Sequence, residues 1–164
     1  YKECADNLKK RMEFSPNYKE IFEYAYLLAS VLEVKADLGI RLRKAYKNND
    51  IREMQKISDN DIVILMERVQ LFGNAFKKMW MSTYKVFGYE VIDMRIGALK
   101  SRLCFAKERI DGYIKGTINC IEELEQEILP YNLRDESMQN GLNVRTTSHI
   151  KYISAGYCSH GFFD

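Results

Sequence analysis

"KVFGYEVIDMRIGALKSR", Lys85 to Arg102, sets Glu90, Asp93 and Arg95 among two glycines and a row of apolar residues, and the row's continuation decides the fold. Ile92, Ile96, Leu99, Leu103, Ala106, Ile110 and Tyr113 recur at spacings of four and three. That period places them on one face of a helix. An unbroken seam of this kind is what a bundle helix buries against its neighbours. Gly88 before it and Gly116 after it punctuate the ends.

Charges flank the seam. Arg95, Arg102 and Arg109 recur every seven residues along one edge, and Asp93, Lys100 and Lys107 line the other. In bundles such positions pair with carboxylates on an adjoining helix; clamping an anionic ligand is the alternative use of guanidinium groups. Glu90 lies in the first turn, where the helix dipole favours a carboxylate, and Asp93 follows one turn on. Two carboxylates three apart can share a proton or a metal, but no further ligand stands at metal spacing on another helix, so a structural use is expected. Gly97 and Cys104, one heptad apart beside the seam, predict a close approach by another element.

Helical patterning extends toward the N-terminus. Tyr1 to Phe14 forms a short amphipathic segment with Cys4, Leu8 and Met12 four apart, ended by Ser15 as cap and Pro16 at the first position of the next helix. From Pro16 to about Lys47, Leu27, Val31, Val34, Leu38, Leu42 and Ala45 make a stripe on a helix of roughly 45 Å. "NND", Asn48 to Asp50, stops it and caps a short helix from Ile51 to about Ile57. "SDND", Ser58 to Asp61, is expected to break the chain again and cap the next helix. Ile62, Met66, Val69, Phe76 and Trp80 give that helix its buried face, and it is expected to run to about Tyr84.

Toward the C-terminus a last helix is predicted from about Ile118 to Leu129, acidic on its outer side and stopped by Pro130. Tyr131 to Asp164 lose the pattern, with "HIKYIS" (His149 to Ser154) as the one candidate strand. The expected architecture is therefore all-α, an up-and-down bundle of about five to seven helices over residues 1–130, with a short extended tail over 131–164.

Composition bounds the function. A chain of 164 residues with 46% hydrophobic and 29% charged residues is one globular domain by length. A net charge of +2 gives no reason to expect nucleic acid. No apolar run reaches the roughly eighteen residues that span a bilayer, so no membrane partner is expected. The four cysteines are scattered without a Cys-x-x-Cys pair, which fits a reducing, cytoplasmic setting. Tyr1 in place of an initiating methionine points to a piece of a longer polypeptide.

Candidate chemistry is sparse. The glutamates of "IEELEQE" read as a solvated face, and "RLRKAYK", Arg41 to Lys47, as cations favoured at a helix C-terminus. Cys158 and His160 make at most half a metal site, and His149 stands alone. Trp80 reads as core, with a sugar platform as the alternative. No nucleophile with its base, phosphate loop or Glu-x-x-His pair is present, so no catalytic, cofactor or metal residue is assigned.

The run from about Leu38 to Leu129 resembles the C-terminal helical domain of glycoside hydrolase family 20 enzymes, the β-N-acetylhexosaminidases. Trp80 a few residues ahead of "FGYEVIDMRIGAL" (Phe87 to Leu99), then Gly116 and "IEELE" (Ile121 to Glu125), carry the likeness. "YKVFGYE", Tyr84 to Glu90, departs from it where a Lys-Pro ahead of the Phe-Gly is the pattern. The resemblance implies a non-catalytic accessory domain. Catalysis in such an enzyme belongs to an upstream (β/α)8 barrel, absent here, that removes terminal GlcNAc or GalNAc with the substrate's acetamido group as nucleophile. It implies the barrel of the same polypeptide as partner, with a homodimer contact as a further one. Trp80, Glu90, Asp93 and Arg95 become candidate interdomain contacts. A free-standing helical interaction or ligand-sensing module is the alternative.

Overall fold

The seam on Lys85–Arg102 and its continuation builds α5, Tyr89–Ile114, one of four helices that account for most of the bundle. The computed structural model of the chain describes residues 1–126. Before α5 come α1 (Lys2–Phe14), a single 3-10 turn (Pro16–Tyr18), α2 (Lys19–Lys47), α3 (Ile51–Lys56), a π-helical turn (Ile57–Asp61) and α4 (Ile62–Thr83). After it comes the one-turn α6, Glu122–Glu125. Among the described residues there is no strand, and the architecture is an all-α bundle. Tyr1–Leu124 form one compact unit. The expected boundary at Pro130, the strand at His149 to Ser154, and His149, Cys158 and His160 lie outside the described residues.

Adjacent long helices run antiparallel, as the cross-helix pairs show. Glu20 on α2 meets Lys78 and Ser82 on α4, Glu33 meets Arg68, and Arg41 meets Asp61. Between α4 and α5 the order reverses in the same way, with Gly73 against Ile96, Gln70 with Lys100, and Met66 with Cys104. α1 folds back along the first half of α2. The stripes predicted for α2, α4 and α5 supply the core: Val31, Leu38, Ala45, Ile62, Val69, Leu103 and Ile110 are all buried in one cluster. Leu65, Met54 and Ile57 join it.

The burial is uneven. Met54, Ile57, Ile62, Leu65, Val69 and Ile110 are each below 2% exposed, all toward the end where α3 and α6 close the bundle. The other half is filled by rings. Phe72, Phe76, Trp80 and Tyr84 follow one another every four residues along α4, and Tyr24 and Tyr89 pack on them at centroid distances of 5.4 and 6.3 Å. Rings offset at such distances attract through their quadrupoles while burying area.

Four local expectations are corrected. "SDND" does not break the chain. Ile62 N–H reaches back to Ile57 C=O, five residues earlier, so the helix widens for one turn and continues. The wider turn lets two successive residues, Ile57 and Ser58, both face inward with no exposed surface. Asp50, by contrast, caps α3 as expected, accepting from Glu53 N–H at 3.0 Å. On α1 Leu8 and Met12 are half-buried as the stripe requires, but its first position fails: Ala5 is the buried residue and Cys4 is exposed. The last helix begins at Glu122, not Ile118, because Gly116 at φ +71° and the Thr117 and Ile118 amides folding back to Gly112 C=O close α5 with an extra turn. Gly97 has nothing within 4 Å of where a Cβ would stand; the close approach is made by Gly73, whose Cβ would lie 3.3 Å from Ile96.

Candidate interdomain surface

Among the described residues, Ser58 and Lys107 form a pairing whose atoms resemble catalytic machinery. Lys107 Nζ donates to Ser58 Oγ at 3.0 Å, the approach a lysine base would make to a serine nucleophile. The surroundings forbid that use. An ammonium has three donors, and all three are engaged: Ser58 Oγ, Asp59 Oδ1 at 3.1 Å and Asp111 Oδ2 at 3.1 Å. Burial pulls the Lys107 pKa down, but its bonds to Asp111 and Asp59 outweigh that and hold it above the ordinary lysine value, so it stays protonated. Ser58 donates its own proton to Asp111 and has no exposed surface on which a substrate could land. The network pins the widened π turn to α5.

Arg41, Arg109 and Arg68 are committed in the same fashion. Arg41, in the basic run of α2, has Asp37 within 3.1 Å and reaches Glu53 at 3.3 Å and Asp61 at 2.6 Å, tying α2 to α3 and the π turn. Arg109 pairs with Glu122 and holds the α6 turn against α5, and Tyr46 Oη accepts from Ile121 N–H at 3.1 Å. Arg102 lies 4.9 Å over the ring of Phe105. Beneath α1 a shallow depression is lined by Ala5, Tyr26, Ser30 and Arg68, but its guanidinium already serves the Ser30 carbonyl and Glu33. Among the described residues no three of His, Cys, Asp and Glu converge as a metal site, and no helix is long and apolar enough to cross a membrane.

The α4–α5 connection is where the predicted site residues collect. Trp80 is half-buried, with Nε1 donating to the Lys85 carbonyl at 2.9 Å and its ring between Tyr84 and Tyr89. Gly88 sits at φ +94° with the Trp80 indole 3.5 Å from where a Cβ would stand. Glu90 Oε2 accepts from Gly88 N–H at 2.7 Å, closing the start of its own helix. Tyr84 N–H reaches Trp80 C=O and Tyr89 N–H reaches Val86 C=O. A proline-free turn is thereby fixed by hydrogen bonds at both ends.

Glu90 thus caps α5 and does not pair with another helix. Asp93 and Arg95 are exposed and make no ion pair among the described residues. The Tyr89 phenol is pushed above its ordinary value first by burial and then by the Asp93 carboxylate. The structure therefore brings Trp80 and Glu90 together at one turn and leaves Asp93 and Arg95 on its flank. Ser58 and Gly73 are the functional-looking positions that periodicity alone did not single out. The signal for Ser58 was present: Met54, Ser58, Ile62, Leu65 and Val69 continue one stripe across "SDND".

Ion pairs among the described residues brace one element of an all-α bundle against another. The sequence matches the model of the Glycoside Hydrolase 20C C-terminal domain over residues 1–143, and the chain belongs to that family. No curated protein matches it.

Proposed function

We propose that this chain is the non-catalytic accessory domain of a β-N-acetylhexosaminidase, and that its parent removes terminal β-linked GlcNAc or GalNAc. The observation that carries this reading is the family match over residues 1–143. The closed Ser58–Lys107–Asp111 network supports it, since the serine hydroxyl that meets a lysine there is buried and saturated. In this reading the chemistry sits in a (β/α)8 barrel ahead of Tyr1, where an adjacent Asp and Glu assist the substrate's acetamido nucleophile. The domain's partner is that barrel, and a homodimer contact is a further role. Exposed thiols at Cys4 and Cys104 support a reducing, cytoplasmic compartment.

The reading frame ahead of Tyr1 tests the proposal. A barrel sequence with an adjacent Asp–Glu pair directly before it is the expected result. A start codon at that point would instead leave a free-standing helical module.

A further inference from the structure

We infer that α1 is a strap that opens on its own: it leaves the face formed by α2 and α4, and melts, while the core of α2, α4 and α5 stays folded. The strap is a property of this chain and holds whatever activity its parent has.

Few apolar contacts hold α1 down. Of its thirteen residues only Ala5 is buried, Leu8 and Met12 are half-buried, and Phe14 at its end is 80% exposed. Ala5 faces the buried Ser30 of α2, and side chains this small let two helices approach closely while burying little area. Ordering the helix costs backbone entropy at every residue, and one alanine with two half-buried side chains sets little burial against it.

Polar contacts do not make up the difference. Among the described residues no ion pair and no side-chain hydrogen bond joins α1 to another element, and Tyr1 gives its N-terminus no side-chain cap. The long helices differ. Glu20 ties α2 to Lys78 on α4, Arg68 ties α4 to Glu33, and Lys107 ties α5 to Asp59.

Opening strands no buried charge. A depression of about 260 Å³ already lies beneath α1, lined by Ala5, Tyr26, Ser30 and Arg68. The side chains of Arg68 and Glu33 are 30% and 32% exposed and pair at 2.7 Å, and Arg68 also serves the Ser30 carbonyl. These groups keep their partners when α1 leaves, so the penalty of an unpaired buried ion does not arise.

The sequence sets where the opening stops. Ser15 stands at φ −133° and ψ 71°, outside the helical region, as a residue ahead of proline does. Pro16 has no N–H to carry the hydrogen-bond ladder from α1 into α2. Just beyond it Glu20 is held by Lys78 and Ser82. A helix as short as α1, released from its support, does not persist in water, so the open strap is unfolded and its amides exchange.

Native-state amide exchange of the 164-residue chain, read by mass spectrometry where reclosing outruns chemical exchange, tests the strap. Residues 6–14 should exchange roughly a hundred-fold or more faster than residues 65–69, yet about five-fold or more slower than an unstructured peptide of the same sequence. Ile110→Ala should speed residues 65–69 by about a hundred-fold and leave residues 6–14 within about three-fold, since the strap opens without the core. Ala5→Asp should bring residues 6–14 to the unstructured rate and speed residues 65–69 by no more than the protection α1 has lost.

Residues 6–14 as slow as residues 65–69, or speeded equally with them by Ile110→Ala, would show a single cooperative unit and overturn the strap. Exchange of residues 6–14 at the unstructured rate in the unsubstituted chain would show that α1 does not close, and would overturn it as well.

Discussion

Truncating Ile110 probes the α5 seam where it is most deeply buried. The side chain is 1% exposed and belongs to the cluster that contains Met54, Ile57 and Ile121. Ile110→Ala removes three carbons, worth about 2.4 kcal/mol at roughly 0.8 kcal/mol per methylene. A residual cavity of up to ~75 Å³ would add at most about 1.8 kcal/mol. Met54, with its flexible thioether, fills part of that space, so the expected loss is about 3 kcal/mol. In urea, with a slope of about 2 kcal/mol/M, the midpoint should fall by roughly 1.5 M at unchanged slope. Ile40→Ala, at a position 72% exposed, should move it by less than about 0.5 kcal/mol. Equal effects from the two substitutions would refute the assignment of the seam to the core.

Other perturbations test the local devices. Asp50→Ala should cost about 1 kcal/mol in the same urea assay by freeing the Glu53 amide; a neutral result would mean the cap is idle. Gly88→Ala should cost about 1 to 2 kcal/mol, since its φ of +94° strains any residue with a Cβ, and a stabilised variant would contradict that backbone. Stability should also fall in acid. Bonds from Gln55 and Lys107 hold Asp59 below its ordinary 3.8, and bonds from Lys78 and Ser82 hold Glu20 below 4.5. Each contribution is therefore present above those values and lost as pH drops through the lower folded pKa. Urea midpoints measured from pH 6 to pH 2.5 should decline below about pH 4.5, and less steeply in the Asp59→Asn, Glu20→Gln double variant. An equal slope in both proteins would show that these pairs do not stabilise the fold.

The long helices were legible because their stripes are long. Seven seam residues on α5 and six on α2 fix a helical face whatever the flanking residues do, and Gly88 and Gly116 both stand at positive φ at the ends the pattern marked. "SDND" was misread because Ser, Asp and Asn satisfy backbone amides at helix starts far more often than they line a core. Its burial depends on Lys107 and Asp111, about fifty residues away, which no local window contains. Charge partners were legible only in kind. Lys107 and Arg109 do bridge elements, whereas Glu90 turns back on its own helix because Gly88 leaves an amide to be satisfied.

Hydrolysis of a chromogenic GlcNAc β-glycoside, measured side by side for the whole polypeptide and for this chain alone, tests the division of labour most directly. Turnover by the whole polypeptide and none by the chain is the expected result. Turnover by the chain that is abolished by Ser58→Ala or Asp93→Asn would contradict it.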